Sequence, residues 1–523
     1  MSSGPSQATR LVELALEWDL FHSPDGHAYA SVAMGEHRET WLLRSAAFRA
    51  RLARVFYQVE GRTPYSQAIQ SALAVLEGNA QFEGPEIPVH TRIAMQHGKI
   101  YLDLADDAWQ AVEITPAGWE VVRNPRVRFR RPRGLLRLPI PARGGSLEEL
   151  RHFFNLPDER AWRLLVAWLS GALWPGGPYP VLLLHGEHDS AKSTTSRMLR
   201  ALIDPSAAAL RAEPRDLRDL MIAAKNGWII PLDNVSHLPH WLSDALCRLS
   251  TGGGFSTREL YSDDEEVIFD AQRPVILNGI EEIVTREDLL DRCIISYLPH
   301  LPDDQRRPEA QLWGEFNAAR PRILGALLDV TAAGLRNLPE TRLPRLPRMA
   351  DFAIRVTASE TALGWPSGTF LEDYGENRGA ANDLALESSS VAPVVLRFGC
   401  EVGTWTGTVG DLLKLITGRV DEATAKQRAW PGSARALSNL LRRLSANLRK
   451  AGLLVTFLPR RGNIRPISLE RVDGTSSRAS LPSPDQGSLQ LTPVPGPLND
   501  DSGDAGDATE PGLLDAAGES DAR

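Results

Sequence analysis

Cysteine is scarce in this chain. Cys247, Cys293 and Cys400 are its only three in 523 residues, and they stand far apart without metal-ligand spacing. That excludes a disulfide framework and a zinc finger, and it suits a reducing compartment, so a cytoplasmic protein is expected. Long hydrophobic runs are also missing. The best apolar stretch, Leu164 to Trp174, is far too short to span a bilayer, so no membrane partner is expected. The first residues, Met-Ser-Ser-Gly-Pro-Ser-Gln, lack the basic and apolar regions of a secretory signal. Net positive charge is absent too: the formal total is -8.

That total hides a segregation of charge, and distribution matters more than the sum. Arginines gather at Arg123, Arg126, Arg128, Arg130, Arg131, Arg133 and Arg137. They gather again at Arg435, Arg442, Arg443, Arg449, Lys450, Arg460, Arg461 and Arg465. Acid concentrates between Asp500 and Asp521. The 42% hydrophobic and 24% charged composition is that of a globular protein, and the length calls for three or more domains.

The most informative stretch is Gly186-Glu187-His188-Asp189-Ser190-Ala191-Lys192-Ser193-Thr194. It follows the apolar Val181 to Leu184 and opens a helix-like segment, Thr194 to Leu202. Strand, loop and helix with G-x-x-x-x-A-K-S is one residue from a phosphate-binding loop. Backbone N–H groups of residues 186–194 would wrap a phosphate, aided by the positive end of the helix. Lys192 would reach the β- and γ-phosphates, and Ser193 would hold Mg²⁺. ATP and Mg²⁺ are therefore the expected cofactors. Ala191 replaces the usual glycine; alanine is the smallest substitute and is expected to fit at a helix start. The plainer alternative is an ordinary strand–loop–helix.

About 40 residues after Lys192 comes Trp228-Ile229-Ile230-Pro231-Leu232-Asp233-Asn234, an apolar strand ending in an acid. Asp233 would bind Mg²⁺ through water. Asn234 stands where such ATPases usually carry a glutamate, and an amide cannot accept a proton from water. Slow hydrolysis, or a base from elsewhere such as Glu265 or Glu266, follows. A further apolar strand, Pro274 to Leu277, ends in Asn278, placed to orient water against the γ-phosphate. Arg286 and Arg292 follow; Arg292 reads either as a finger on a neighbouring subunit's nucleotide or as an ion-pair partner of Asp288 or Asp291.

In this order the motifs, with Leu249-Ser250-Thr251-Gly252-Gly253-Gly254-Phe255-Ser256-Thr257-Arg258-Glu259-Leu260-Tyr261 between Asp233 and Asn278, resemble the ATPase half of phage and viral primase–helicases. These are superfamily III helicases of the AAA+ class. The likeness covers roughly Leu150 to Leu301. It implies a pore-lining hairpin that places Arg258 and Tyr261 near nucleic acid. It also implies Lys192 and Ser193 at phosphates, Asp233 at Mg²⁺, Asn278 as sensor and Arg292 as finger. Ala191, Asn234 and Gly254, where the family often has aspartate, depart from the pattern. No primase motif can be matched in the N-terminal region, so priming is not implied.

Elsewhere, strands at 19–22 and 29–33 flank the turn Ser23-Pro24-Asp25-Gly26 and predict a hairpin. Helices are expected at about 45–57 and 64–76, and strands near 91–95, 100–104 and 111–114. Asp103, Asp106 and Asp107 read as a surface turn in preference to a metal site. Ser146 with Glu149 forms a capping box. Leu437, Leu440, Leu441, Leu444 and Leu448 stripe a helix from Ala434 to Ala451, followed by two strands around a basic tip. That order is winged-helix-like and offers Arg442, Arg443, Arg460 and Arg461 to DNA phosphates; the alternative is a small packing domain. Residues after Asp473 are too poor in apolar groups to fold.

The expected fold is multidomain α/β. It has an N-terminal α+β domain (1–145), a central P-loop, AAA+-like αβα ATPase (146–305), a helical connector (306–400), a winged-helix-like domain (401–472) and a disordered acidic tail (473–523). The expected function is an ATP-dependent DNA motor of phage or mobile-element replication. Its partners would be single-stranded or forked DNA and further copies in a ring, with a hexamer expected. An ATP-switched initiator with little hydrolysis is the rival.

Overall fold

A computed structural model describes residues 5–236, 238–258, 266–269, 271–279, 286–387, 389–427, 429–460 and 465–472. Tyr261, Glu265, Arg461 and the expected acidic tail lie outside them.

Three helices, α1 (Gln7–Ala15), α2 (Ala46–Glu60) and α3 (Ser66–Phe82), pack on an antiparallel sheet of β1 (Asp19–His22), β2 (Ala28–Met34) and β3 (His37–Leu42). The β1–β2 pairing, Asp19 opposite Ser31 through His22 opposite Ala28, is the hairpin that the turn signal predicts. Leu11, Phe48, Leu52, Phe56, Leu73 and Leu76 fill a core confined to this unit.

The next strands are β4 (Val89–His90), β5 (Ile93–Gln96), β6 (Lys99–Asp103), β7 (Ala111–Thr115), β8 (Gly118–Val122) and β9 (Arg128–Phe129). β5 to β8 form an antiparallel meander. Alternation sends Ile93, Ile100, Leu102, Val112, Ile114 and Trp119 into the same core as the phosphate-loop strand. The expected boundary at residue 145 therefore cuts through one continuous core. Asp103 is buried, 1% exposed, and takes two hydrogen bonds from Arg131, at 3.0 and 2.6 Å. Asp106 accepts from the Gln110 amide at 2.8 Å. Asp103 is thus a buried ion-pair partner, which corrects its reading as part of a surface turn.

Next in the chain are α4 (Glu148–Arg151), α5 (Glu159–Gly171), β10 (Val181–His185), α6 (Lys192–Ile203), α7 (Leu217–Asn226), β11 (Ile230–Leu232), α8 (His240–Thr251), β12 (Phe255–Arg258), β13 (Glu266–Phe269), β14 (Val275–Gly279), α9 (Glu287–Leu290) and β15 (Cys293–Tyr297). Four of these strands make a sheet in the order β11-β14-β10-β15, every neighbouring pair parallel. Parallel strands need both faces covered, and their near-continuous apolar runs show it. Leu182 and Leu184 face the large core with α5 and α6, while Val181 and Leu183 face a second core with α7 and α8.

Connecting helices follow: α10 (Glu309–Asn337), α11 (Ala350–Ser359), α12 (Thr369–Glu387) and α13 (Ala392–Val402). The Asn377 side chain, on α12, accepts from the Ile295 amide at 3.0 Å and donates to its carbonyl at 2.7 Å. It thereby closes the open edge of β15 as a paired strand would.

The last unit comprises β16 (Thr404–Thr408), α14 (Val409–Thr417), α15 (Glu422–Ala425), α16 (Ala434–Lys450), β17 (Leu453–Phe457) and β18 (Pro466–Arg471), with sheet order β16-β18-β17. Its core begins earlier than the expected residue 401, because Leu386, Val391, Val395 and Phe398 pack into it. Ser433 caps α16, and Leu437, Leu441, Leu444 and Leu448 are buried along one face.

Asp291 joins three of these parts. It accepts from Arg348 at 2.8 Å, from Arg378 of α12 at 2.6 Å and from Lys450 of α16 at 3.1 Å. Burial alone would raise its pKa, but the bonds from Arg378 and Arg348 and the charge of Lys450 overcome this and hold it at about 2. A depressed carboxylate contributes stability that is complete above its unfolded value of 3.8 and is lost as pH falls toward 2. Acid titration of the wild type should show a loss of about 2 kcal/mol across that window. Asp291→Asn should be less stable at neutral pH and flatter between pH 4 and pH 2, measured by denaturant unfolding. Equal slopes in the two proteins would refute this.

Candidate nucleotide site

The segment folds as strand, turn and helix, in the order its spacing predicts. β10 ends at His185, residues 186–191 turn, and α6 starts at Lys192. Gly186 has φ +154°, and a Cβ there would lie 2.2 Å from the Leu298 carbonyl oxygen, so only glycine fits. Asp189 and Ala191 both adopt left-handed backbone, with φ 60° and 63°. The expectation that alanine sits easily at this helix start is therefore corrected, since a side chain in that region carries strain of order 1–3 kcal/mol. Ala191→Gly should raise stability by about 1 kcal/mol, the strain relieved less the added entropy of the unfolded chain. Urea unfolding reads the change; a loss of stability would show the position unstrained.

No side chain caps the N-terminus of α6. Its first N–H groups are left for an anion, where the helix end is most positive. Lys192 Nζ donates to the Gly186 and Glu187 carbonyls, at 2.9 and 2.5 Å, and to Ser190 Oγ at 2.9 Å. Partial burial lowers the Lys192 pKa, while Asp189 pushes it back up. His185 behind the loop is lowered by burial and by Lys192.

Ser193 Oγ donates to Asp233 Oδ1 at 2.7 Å. The two candidate metal-binding groups, 40 residues apart, meet at the same end of the sheet because β11, β14 and β10 run parallel. A hydroxyl and a carboxylate side by side are hard oxygen donors of the kind Mg²⁺ takes, together with phosphate and water. The residues fit such an ion. Among the described residues there is no cluster of three or more His, Cys, Asp or Glu side chains that would make a separate metal site.

Asn278, on the strand between the loop and Asp233, is 1% exposed. Its oxygen accepts from the Asn234 amide at 2.8 Å, and its nitrogen donates to Ser196 Oγ at 3.0 Å. Both ends of the amide thus tie α6 to the residue after Asp233. Asn234 is exposed with φ 53°, a conformation asparagine tolerates better than glutamate. The amide in place of the usual acid has a backbone reason.

Arg292 is not near this loop. It precedes β15, whose far end, Tyr297, lies beside His185. Its guanidinium is mostly buried and bonds the Asp288 carboxylate and carbonyl, the ion pair that the sequence offered as the alternative. An arginine at that end of the sheet cannot serve its own chain's nucleotide.

β12 and β13 form a two-stranded antiparallel ribbon with Arg258 opposite Glu266, so the backbone of the expected hairpin is present. On α16, Arg442 and Arg443 are exposed, and Arg442 lies 4.1 Å over the Phe457 ring. Arg460, at the tip after β17, is also exposed.

Sequence reasoning missed Ser196, Asp204 and Arg306. Ser196 shares the α6 face with Lys192 at four-residue spacing and was legible in principle; the other two lie in no motif.

Two family models match the chain. Residues 147–376 match the actinomycete integrative conjugative element replication protein, and residues 391–480 match the AICE RepA C-terminal domain. Over these stretches the chain is similar to a replication protein of mobile elements. No curated protein matches significantly. Among solved structures, an apo form of the NrS-1 C-terminal region aligns with 90% of this chain and 100% of its own, at 11% identity and TM-score 0.39. Another, of residues 305–718 of that protein, aligns with 87% and 98%, at 12% identity and TM-score 0.40. JCV helicase with a bound small molecule aligns with 43% and 66%, at 15% identity and TM-score 0.19. Scores this low carry no weight for activity. Among the described residues no helix is long and apolar enough to cross a membrane.

Proposed function

We propose that this chain is an ATP-dependent nucleic-acid motor, helicase-like, serving replication of a mobile element. The observation that carries the reading is the meeting of Ser193 and Asp233 at 2.7 Å beside the uncapped start of α6. A triphosphate would lie along residues 186–194, with Lys192 on its β- and γ-phosphates and Mg²⁺ shared by Ser193 and, through water, Asp233. The ion would offset charge on the transferring phosphoryl group. Asn278 holds the Asn234 segment against α6, so the residue that faces the attacking water is kept in register with the loop. Arg292 acts on a neighbouring copy's nucleotide in a ring, with six copies expected, and to do so it must leave Asp288. The β12–β13 ribbon, with Arg258 and Tyr261, touches DNA, and the winged-helix-like last unit adds Arg442, Arg443, Arg460 and Arg461. The cytoplasm is the proposed location.

Asn234 favours a second reading, because an amide cannot take a proton from water. Here ATP only stabilises an assembly on DNA, as in an initiator. Phosphate release with and without single-stranded DNA separates the two. The motor reading expects DNA-stimulated release. Absent release, with ATP still tightening DNA binding, favours the initiator.

A further inference from the structure

The phosphate loop carries a charge of the wrong sign. Asp189 sits inside residues 186–191, and a carboxylate there repels a triphosphate. The turn between β15 and α10 answers it. Arg306 Nη2 lies 3.3 Å from Asp189 Oδ2 and 3.1 Å from Asp303 Oδ1. The same turn binds the loop through its backbone, since the Leu301 amide donates to the Asp189 carbonyl at 3.2 Å. Just upstream, the Leu298 amide donates to the His185 carbonyl at 2.8 Å. Residues 298–306 thus run along the loop and deliver a guanidinium to its one ion-paired acid.

We propose that Arg306 is a positioning residue of the nucleotide site, offsetting the charge of Asp189 so that the loop repels the triphosphate less. This rests on the reading of residues 186–194 as that site. Arg306 acts through Asp189 and not on the reacting atoms. Both side chains are substantially exposed, 44% and 65%, so their pair adds little to folding. Its charge is still felt by a tetra-anion next to it. An uncompensated carboxylate beside the triphosphate should weaken binding about tenfold in this partly exposed setting.

The test is binding of a fluorescent ATP analogue with Mg²⁺ to the full chain, beside phosphate release. Arg306→Ala should weaken binding about tenfold and raise KM with little change in kcat. Asp189→Asn should bind as tightly as wild type or tighter. The double variant should return to within about twofold of wild type, since the carboxylate that Arg306 offsets is then gone. A purely structural role for Arg306 would not be rescued by removing Asp189. A double variant as weak as Arg306→Ala alone, or Arg306→Ala equal to wild type, overturns the role given to Arg306. Wild-type protein that binds no analogue overturns the nucleotide reading itself.

Discussion

Replacing Lys192 by alanine is expected to reduce DNA-stimulated phosphate release by about 10²- to 10³-fold, the usual cost of removing one electrostatic donor from a reacting centre. The reason is local. Lys192 is the only lysine or arginine in residues 186–194, and its ammonium already turns into the loop, on the Gly186 and Glu187 carbonyls and Ser190 Oγ. A triphosphate would exchange those neutral acceptors for anionic ones, which make stronger bonds. Folding stability should fall by no more than about 1–3 kcal/mol, because the lost bonds all come from one partly exposed ammonium. Release measured with saturating single-stranded DNA, together with a melting curve, tests this. Unchanged release in a folded variant would mean that the lysine is an ordinary helix-start residue.

The second large effect is on stability. Asp204→Ala should destabilise the protein by about 3–5 kcal/mol, the range for leaving a buried charge unpaired. Asp204, at the end of α6, is fully buried, and so is Arg92 from the strand region before β5. Arg92 Nε donates to Asp204 Oδ1 at 3.2 Å. Asp204 Oδ2 accepts from the Trp228 and Ile229 amides at 2.9 and 3.1 Å, just ahead of β11. One carboxylate therefore joins the meander, the phosphate-loop helix and the strand that leads to Asp233. Burial lowers the Arg92 pKa, and Asp204 pushes it back up. Without the aspartate, the buried Arg92 guanidinium keeps only carbonyl acceptors and loses its ion-pair partner, and two amides lose their acceptor. A fall in melting temperature of about 10 °C is expected. A fall of only a degree or two would show that water or another side chain replaces the carboxylate.

What the sequence reveals and what it hides follow from the range of the forces involved. The candidate loop is legible because strand, turn and helix are contiguous, and glycine at 186 is demanded by a close approach. The pairing of Ser193 with Asp233 is legible only through the order of motifs, since 40 residues separate them. α12 escapes notice because its residues show little segregation of apolar and polar faces; its value lies in Asn377 and Arg378, which bond β15 and Asp291. The meander is seen as strands, but strands buried on both faces do not announce which core each face joins. That is why the sequence does not show that the meander's core continues past residue 145. The left-handed backbone at Asn234 and Ala191 is set by the surrounding packing, and a single residue type does not report it. Arg306 is one arginine among many, and only the approach of its turn to the loop singles it out.

The central claim is that Ser193 directly, and Asp233 through water, would hold one divalent ion when a triphosphate occupies the loop. Diffraction from crystals grown with Mn²⁺ and a non-hydrolysable ATP analogue, recorded for anomalous scattering, tests it directly. The account predicts an anomalous peak beside Ser193 Oγ, one water away from the Asp233 carboxylate, with the analogue's β- and γ-phosphates beside Lys192. Clear density for the analogue at another place, or a manganese peak away from both side chains, would contradict it.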